Sequence, residues 1–290
     1  MSRQGLAAFL LAAIGTATTP GCRRDATPEA AADPRREAVK SFWAKLHAAN
    51  DVRLGSGCAD AVALYEEALA LDPRHEDALY YLGQCHRESG RPAEARVAFE
   101  RLVEVNPTSA RGHLSLGALL ASPDPAEPMD LASAEAHLRR AHDINGEETG
   151  PVLRLGEVLL VRGRDAEARE WLEAALRTNT KSVEAAFLAG FAGWDGGAGD
   201  AGGLARRVRE ATRVEGPIKG VLGEGDRRDA RRTAAPPLER PLGRLLFEAP
   251  IATLWGRAAA GETIDDALVT GLWREARRLR AALAARPGAR

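Results

Sequence analysis

Two short motifs in this sequence have residue types that could hold a cofactor. Residues 197–202 match the letters of G-x-G-x-x-G, whose backbone amides bind a pyrophosphate when the run follows a β-strand. Here the preceding residues have a helical period, so that geometry is not expected. Cys85-His86 ends like a haem-attachment motif, but Leu82 stands where the motif needs its first Cys. We therefore predict no bound cofactor.

The sequence also lacks the spacing of a catalytic or metal-binding site. Its six histidines are scattered, with no H-E-x-x-H pair and no paired Cys motif. His86 and His113 lie at apolar-face positions of a helical period, which favours packing over metal binding. Residues 112–117 are not G-x-S-x-G, because the first glycine is one residue too far from the serine. A hidden enzyme would need a reactive cluster in residues 217–290, where no His or Cys occurs, so we predict no catalysis and no metal site.

The three cysteines have different predicted roles. Cys22 follows an export-like leader, which leaves Cys58 and Cys85 in the rest of the chain. Two cysteines cannot define a disulfide framework, and Cys85 lies inside a helical pattern, so the simplest interpretation is two small inert residues. A Cys58–Cys85 bridge in an oxidising compartment is the alternative.

The leader itself predicts export. One positive charge at Arg3 precedes an apolar run over residues 6–14 and then small residues up to Gly21-Cys22. The run is too short for a permanent transmembrane helix, so residues 1–21 are predicted to be a cleaved signal peptide. The small residues that end in Gly21-Cys22 resemble a bacterial lipoprotein signal, in which Cys22 becomes the lipidated N-terminus, although Thr19 replaces the usual Leu. Ordinary secretion is the first alternative and an uncleaved anchor the second, and residues 22–35 are predicted to be a tether.

Composition predicts the fold class. Of 290 residues, 45% are hydrophobic and 28% are charged, and Ala, Leu, Arg and Glu are abundant while β-branched and aromatic residues are sparse. This favours an all-α protein. Residues 1–200 have a net charge of -8 and residues 201–290 a net charge of +7. The asymmetry indicates either solvated charge or docking of the basic part on the acidic part or on an acidic partner. Export and the lack of interleaved aromatics argue against nucleic-acid binding by the Arg clusters.

The clearest repeating unit is a helical hairpin over residues 76–109. Gly90 can adopt the positive φ of a helix end, Pro92 suits the first turn of the next helix, and Pro107 ends that helix. The unit resembles the tetratricopeptide repeat at positions Leu79, Leu82, Gly83, His86, Ala95, Phe99, Leu102 and Pro107. His86 departs from the family, which usually has Tyr there, and Leu102 stands where Ala is usual.

Similar units surround this hairpin, so we predict a solenoid of about four to five repeats over residues 36–216, the last one degenerate. In the first unit, Trp43 and Leu46 mark the first helix and residues 51–58 a turn-rich loop. Residues 121–130 form a Pro-rich loop in the third unit. The resemblance implies a right-handed superhelix of stacked helix pairs.

The remaining chain is predicted to be a basic Pro/Gly-rich linker over residues 217–243 and a helical segment over residues 244–290. Two amphipathic helices are expected there, at Pro250–Ala260 and Thr263–Ala285, the second with a capping box from Thr263 to Asp266. The apolar stripe of the second helix, predicted to close the solenoid, consists of Ile264, Leu268, Leu272, Leu279 and Leu283.

The resemblance also implies a function. In the family, the second, fifth, ninth and twelfth positions of each repeat face a groove that binds a protein or peptide partner. Carried over, the groove residues are Asp77, Tyr80, Gln84, Arg87, Arg111, Leu114, Leu153, Glu157, Phe187, Phe191 and Trp194. The last three could be an aromatic anchor or could pack on the following helices. Family members that clamp a carboxyl-terminal peptide use Lys and Asn at groove positions of the early repeats, where this chain has Ala44, Ala48, Tyr80 and Gln84, so that specificity is not expected.

We therefore expect an extracytoplasmic, membrane-tethered tetratricopeptide scaffold that mediates protein–protein interaction. Two alternatives remain at this point: an accessory subunit of an exported enzyme or redox complex, and a secreted soluble protein of the same repeat class.

Overall fold

The computed structural model describes residues 33–123, 128–194, 196, 201–212 and 246–289. The predicted signal peptide, Cys22, most of the tether and the linker lie outside these residues. The described ranges contain α-helices and no β-strand. The helices are α1 (Pro34–Gly55), α2 (Cys58–Leu71), α3 (Glu76–Glu88), α4 (Pro92–Val105), α5 (Ala110–Leu120), α6 (Leu131–Ile144), α7 (Thr149–Val161), α8 (Asp165–Thr178), α9 (Val183–Gly193), α10 (Ala201–Thr212), α11 (Glu248–Ala259) and α12 (Asp266–Ala284).

The first ten helices form five antiparallel hairpins, which we call repeats 1 to 5, each with a first and a second helix. Every helix from α1 to α9 packs against the next one along the chain. This nearest-neighbour packing is what a solenoid requires, because a single hairpin cannot bury its own apolar face. The all-α repeat architecture predicted from the sequence is confirmed.

Small residues on the first helices set the spacing within each hairpin. A Cβ atom added at Gly83 would lie 2.5 Å from the Phe99 ring, and Phe99 itself is fully buried. Gly117 faces Leu138 of repeat 3 in the same way, and a Cβ there would lie 2.9 Å from that side chain. The missing side chain therefore lets the two helices of a hairpin approach closely.

The turns between paired helices use the predicted residues. Gly90 has φ of 70° at the end of α3, and Pro92 lies in the first turn of α4. Gly163 has φ of 78° at the corresponding turn of repeat 4. Side chains also cap helix N-termini: the Ser109 hydroxyl accepts a hydrogen bond from the Gly112 amide at 3.2 Å. The described parts of the Pro-rich loop, next to α5 and α6, are not helical.

Repeat 1 differs from the sequence prediction. Phe42 is buried with Leu46, whereas Trp43 is 46% exposed, because the register of α1 is rotated by one residue from the predicted one. The helix also continues to Gly55, so most of the predicted loop over residues 51–58 is helical.

The C-terminal segment, residues 246–289, contains α11 and α12 and packs on repeats 4 and 5 rather than only on their free end. Helix α12 contacts α7 and α10, and α11 contacts α9. The predicted capping box is wrong, because the side chain of Asp265 caps the helix by accepting from the Leu268 amide at 2.7 Å. The segment shares one apolar core with repeats 3 to 5 and with Ala95 and Phe99 of repeat 2, while a second apolar core lies in repeats 1 and 2.

Candidate partner-binding groove

The first helices α1, α3, α5, α7 and α9 form one face of the solenoid, which we call the groove. Its two halves differ. We define the open half as the part lined by α1, α3 and α5, and the closed half as the part lined by α7 and α9, which the C-terminal segment covers.

Tyr80 and its neighbours form the centre of the open half. The Tyr80 ring is half-buried, and the guanidinium carbon of Arg111 lies 4.8 Å from its centroid. Arg111 also forms an ion pair with the exposed Asp77. Beside them, Arg53 lies over the Tyr81 ring at 4.3 Å. The stacked guanidinium groups hold two aromatic rings in place at the surface.

Two of the predicted groove residues, Gln84 and Leu114, are buried between helices rather than exposed in the groove. Gln84 is 6% exposed and donates to the Ser115 hydroxyl at 3.3 Å, which joins α3 to α5. Its carbonyl oxygen accepts from Arg87 Nε at 3.1 Å, and this contact orients the Arg87 side chain. Burial lowers the pKa of Arg87, and the nearby Arg154 charge lowers it further. Leu114 is also buried, so a partner in the open half would meet Asp77, Tyr80, Arg87 and Arg111 rather than Gln84 or Leu114.

The structure adds residues of α1 that the sequence analysis did not select. Val39, Trp43 and Leu54 are the large exposed apolar side chains of this helix, and at 100° per residue they lie on one face together with His47. Trp43 packs edge-on against His75 at the start of α3, with ring centroids 5.5 Å apart. The i, i+4 spacing of Val39, Trp43 and His47 was visible in the sequence. The predicted register of the first unit placed Ala44 and Ala48 at the groove positions instead.

A buried ion pair lies at the centre of the closed half. Glu157 is fully buried and pairs with Arg154, 3.2 Å away and 5% exposed. The Glu157 carboxylate also accepts a hydrogen bond from the Phe247 amide at 3.2 Å. Burial raises the pKa of Glu157 to about 7, against the lowering effect of the Arg154 charge and of the amide donors. The predicted neighbour Leu153 is half-buried.

The predicted aromatic trio is covered by the C-terminal segment. The Trp273 indole of α12 donates to the Phe187 carbonyl at 3.1 Å and lies 5.7 Å from the Trp194 ring. Phe191 packs on Phe247 with centroids 5.7 Å apart. All three predicted rings are at most 7% exposed. The interpretation that they pack on following helices describes this arrangement, and a binding role for them requires that the segment moves.

Trp273 completes repeat 5 in an unexpected way. Gly190 occupies the position that faces a bulky residue of the second helix in repeats 2 to 4, but here it faces the fully buried Trp273 ring. The predicted stripe of α12 does face the core: Ile264, Leu272 and Leu283 are buried, and Leu268 and Leu279 are partly buried. No local pattern marked Trp273, because its partner glycine is more than 80 residues away.

Polar contacts extend the C-terminal segment to repeat 3. Arg280 pairs with Asp165 at the α7–α8 turn, 2.9 Å away. The Leu131 amide donates to the Gly288 carbonyl at 3.0 Å, and Arg286 donates to the Pro123 carbonyl at 2.7 Å. The described C-terminal segment, which belongs to the basic residues 201–290, thus packs on the acidic residues 1–200.

The two cysteines are joined. Cys58, at the first residue of α2, and Cys85, in α3, form a disulfide with Cα atoms 4.6 Å apart. The interpretation as two inert residues is corrected, because the start of α2 folds back onto α3 next to the turn of repeat 1.

His86 and His113 are packed side chains. His86 and His113 are 5% and 9% exposed, as expected for their apolar-face positions. His113 Nδ1 lies 2.9 Å from His137 Nδ1, and burial lowers the pKa of both rings. Within the described residues no group of three or more His, Cys, Asp or Glu side chains could hold a metal ion. None of the helices described here combines the length and apolar character needed to cross a bilayer.

Comparison with known proteins decides the family. The family profile of the tetratricopeptide repeat matches residues 59–121 and 129–189. The chain contains tetratricopeptide repeats over these residues. Proteins of this family mediate protein–protein interactions, bind protein or peptide partners and are typically not catalysts.

The relatives extend this result to sequence and fold. The human tetratricopeptide repeat protein 7B is 33% identical over 150 residues, which are 51% of this chain and 17% of the human protein. A crystal structure of MamA superposes with a TM-score of 0.55 at 20% identity, over 64% of this chain and 99% of that one. YrrB, described as a repeat protein with an unusual peptide-binding site, has a TM-score of 0.52 at 20% identity, over 62% of this chain and 93% of its own. These structural likenesses show the solenoid fold.

Proposed function

We propose that this tetratricopeptide repeat protein is an extracytoplasmic, membrane-tethered scaffold that binds a segment of another protein in the open half of its groove. The observation that carries the proposal is the contrast between the two halves. The closed half already holds a polypeptide segment, through the Phe247 amide on Glu157 and through aromatic contacts such as Phe191 with Phe247. The same face continues into the open half, and the described C-terminal residues reach its edge at the α5–α6 loop, where Arg286 donates to the Pro123 carbonyl.

The chemistry of the open half suits a polypeptide. Trp43 and Tyr80 offer aromatic surface at low cost in conformational entropy, and both types are frequent at interface hot spots. Asp77, Arg87 and Arg111 add hydrogen-bonding groups of both charges. YrrB is described as having a peptide-binding site, which makes a peptide-like ligand a reasonable expectation for this related fold.

Two further features support export and tethering. The leader at residues 1–21 has the pattern of a signal peptide, and Cys22 stands at the expected lipidation position. The Cys58–Cys85 disulfide is typical of proteins that fold in an oxidising compartment. Two or more acyl chains would give stable attachment, since each buried CH₂ contributes about 0.8 kcal/mol.

The groove proposal is tested by a crosslinking pull-down from membranes with the double variant Trp43→Ala/Tyr80→Ala. We expect recovery of specific partners to fall at least tenfold while the circular dichroism spectrum stays that of the folded wild type. The melting temperature should fall moderately, because Tyr80 packs on Phe99. Leu71→Ala, an equally exposed apolar residue at the end of α2, is the matched control and should retain partners. Unchanged recovery with the double variant would contradict a binding role for the open half.

The tether is tested separately by mass spectrometry of the mature N-terminus. An acylated Cys22 is the expected result. An N-terminus without lipid would refute the tether and leave the groove proposal intact, because the pull-down can be repeated with secreted protein.

A further inference from the structure

A cleft on the outer face of the solenoid, away from the groove, has the properties of a binding site. It lies between the second helices of repeats 1 and 2, with part of α3 as its floor, and has a volume of about 410 Å³. This size is within the range of small ligand sites and large enough for one or two side chains. The residues that line it are Glu66, Leu69, Ala70, Leu82, His86, Glu94, Val97, Ala98 and Arg101.

His86 marks this cleft as more than a packing gap. The residue is 5% exposed, yet its Nδ1 atom has no hydrogen-bond partner among the described residues. A buried polar atom without a partner is uncommon, because it loses its hydrogen bonds to water and gains none in return. His86 also stands where the repeat family usually has the larger Tyr ring, so the substitution itself contributes to the open space.

The charges around the cleft are arranged for a cation. Glu66 of α2 and Glu94 of α4 line opposite walls, and neither forms an ion pair with a described residue. Their neighbours differ: Glu67 pairs with Lys45, and Glu100 pairs with Arg96. Two available carboxylates thus face one buried imidazole.

One basic residue, Arg101, lines the cleft, and its guanidinium already donates a hydrogen bond to a backbone carbonyl. Arg101 donates to the Pro73 carbonyl at 3.1 Å, which holds its guanidinium at one end. Burial lowers the pKa of His86, and the nearby Arg91 charge lowers it further, while Glu66 and Glu94 act in the opposite direction. The imidazole is therefore neutral at neutral pH, and Nδ1 can accept a hydrogen bond when the proton is on Nε2.

We propose that this cleft is a socket for a basic side chain, arginine or lysine, of a partner polypeptide. The methylene groups of that side chain lie along Leu69, Leu82 and Val97, and Val97 is exposed at the rim. The cationic head lies between the two carboxylates and donates to His86 Nδ1. The site is independent of the groove, so it gives the scaffold a second contact surface on its opposite face.

The socket is tested with a defined probe rather than with an unknown partner. The pentapeptide acetyl-Gly-Leu-Arg-Leu-Gly-amide is titrated into the ¹⁵N-labelled full chain, and shifts of the Val97 and Ala98 amides and of the His86 ring nitrogens are followed. The matched peptide carries citrulline, which has nearly the same shape as arginine and no charge. We expect saturable shifts with the arginine peptide and at least tenfold weaker binding of the citrulline peptide.

Two protein variants complete the test. His86→Tyr restores the residue usual in the family and fills the cleft, so binding should fall at least tenfold while the melting temperature stays equal or rises. Glu94→Gln should weaken binding about threefold, because one of two solvent-accessible carboxylates is removed. Glu100→Gln, on the same helix but outside the cleft, should have no effect.

The outcomes separate the possible occupants. Equal binding of both peptides would mean that the cleft takes apolar side chains and would overturn the basic socket. Undiminished binding to His86→Tyr, or shifts that map to the groove instead, would overturn it as well. If His86→Tyr does not fold, the ratio between Glu94→Gln and Glu100→Gln decides the question.

Discussion

The open and closed halves of the groove consist of the same helical positions, but only the closed half is covered by the C-terminal segment. In α9 and at the residue after it, these positions hold Phe187, Phe191 and Trp194, a large apolar surface that is unfavourable in water and is covered by the C-terminal segment. In α3 and α5 they include Asp77, Arg87 and Arg111, which are stable next to water. The residue types, rather than the backbone of the repeat, therefore decide which half is free for a partner.

The comparison also separates stability from binding. Side chains of the closed half are buried in one core with α11 and α12, so replacing them should lower the free energy of unfolding. Exposed side chains of the open half, such as Trp43 and Asp77, lie outside the core, so replacing them should change binding and leave the fold intact. The following predictions test this division, from the largest expected effect to the smallest.

Trp273→Ala should lower the free energy of unfolding by about 3–5 kcal/mol, because it removes a fully buried ring and leaves a cavity next to Gly190. Urea unfolding followed by circular dichroism measures this value. A loss below 1 kcal/mol would mean that the C-terminal segment does not cover the closed half in solution.

Phe99→Ala tests the apolar core that repeat 2 shares with repeats 3 to 5 and the C-terminal segment. The ring is fully buried against Gly83, so the free energy of unfolding should fall by about 3–5 kcal/mol. Val97→Ala, on the same helix but 57% exposed, is the control and should change it by less than about 1 kcal/mol. Similar losses for the two variants would show that the register of α4 is wrong.

Glu157 should make the closed half sensitive to pH. Its pKa is raised to about 7 in the folded state from an ordinary value of 4.5, so between these values the folded state holds more protons than the unfolded state. The free energy of unfolding should therefore decrease as pH rises from 4.5 to 7, by about 3 kcal/mol from this group. Glu157→Gln should remove that decrease in urea titrations at the two pH values, and an unchanged pH dependence would refute the assignment.

The disulfide should matter for repeats 1 and 2 of the open half. Its cysteines are 27 residues apart, a loop length for which the chain-entropy account predicts about 3 kcal/mol of stabilisation. Cys58→Ser/Cys85→Ser should lose about this amount. Hydrogen exchange should show faster opening of α2 and α3 than of α9, and uniform acceleration along the chain would argue against two separately packed halves.

Trp43→Ala should have the smallest effect on stability. Its ring is 46% exposed, so the free energy of unfolding should change by less than about 1 kcal/mol, in contrast to Trp273→Ala. Differential scanning calorimetry of the two tryptophan variants side by side makes this comparison. A large loss for Trp43→Ala would place the residue in the core and remove it from the candidate binding surface.

Local sequence patterns were sufficient for the parts of the fold that depend on neighbouring residues. The pairing of Gly83 with Phe99 and the positive φ of Gly90 before Pro92 follow from spacing within one hairpin. The first unit was predicted less well, because an apolar stripe containing both Phe42 and Trp43 does not show which ring faces α2 and α3. In the folded protein Phe42 is buried and Trp43 is exposed.

The candidate site was only partly predictable for the same reason. Helical positions identified the face of each repeat, so Tyr80 and Arg111 were found and are accessible. They did not show that Gln84 bridges two helices, that Trp43 lies beside α3, or that α12 covers the aromatic trio. Each of these depends on contacts between elements that are distant in sequence or belong to different repeats.

The sequence alone thus determined the repeat class and turns such as the one at Gly90 and Pro92, because these depend on residues within about one repeat length. Only the tertiary structure decided that the Trp273 ring packs against Gly190, that Cys58 is bonded to Cys85, and that the C-terminal segment covers one half of the groove. The physical reason is that apolar surface is buried by whichever segment can reach it, and that choice is not encoded in any local period.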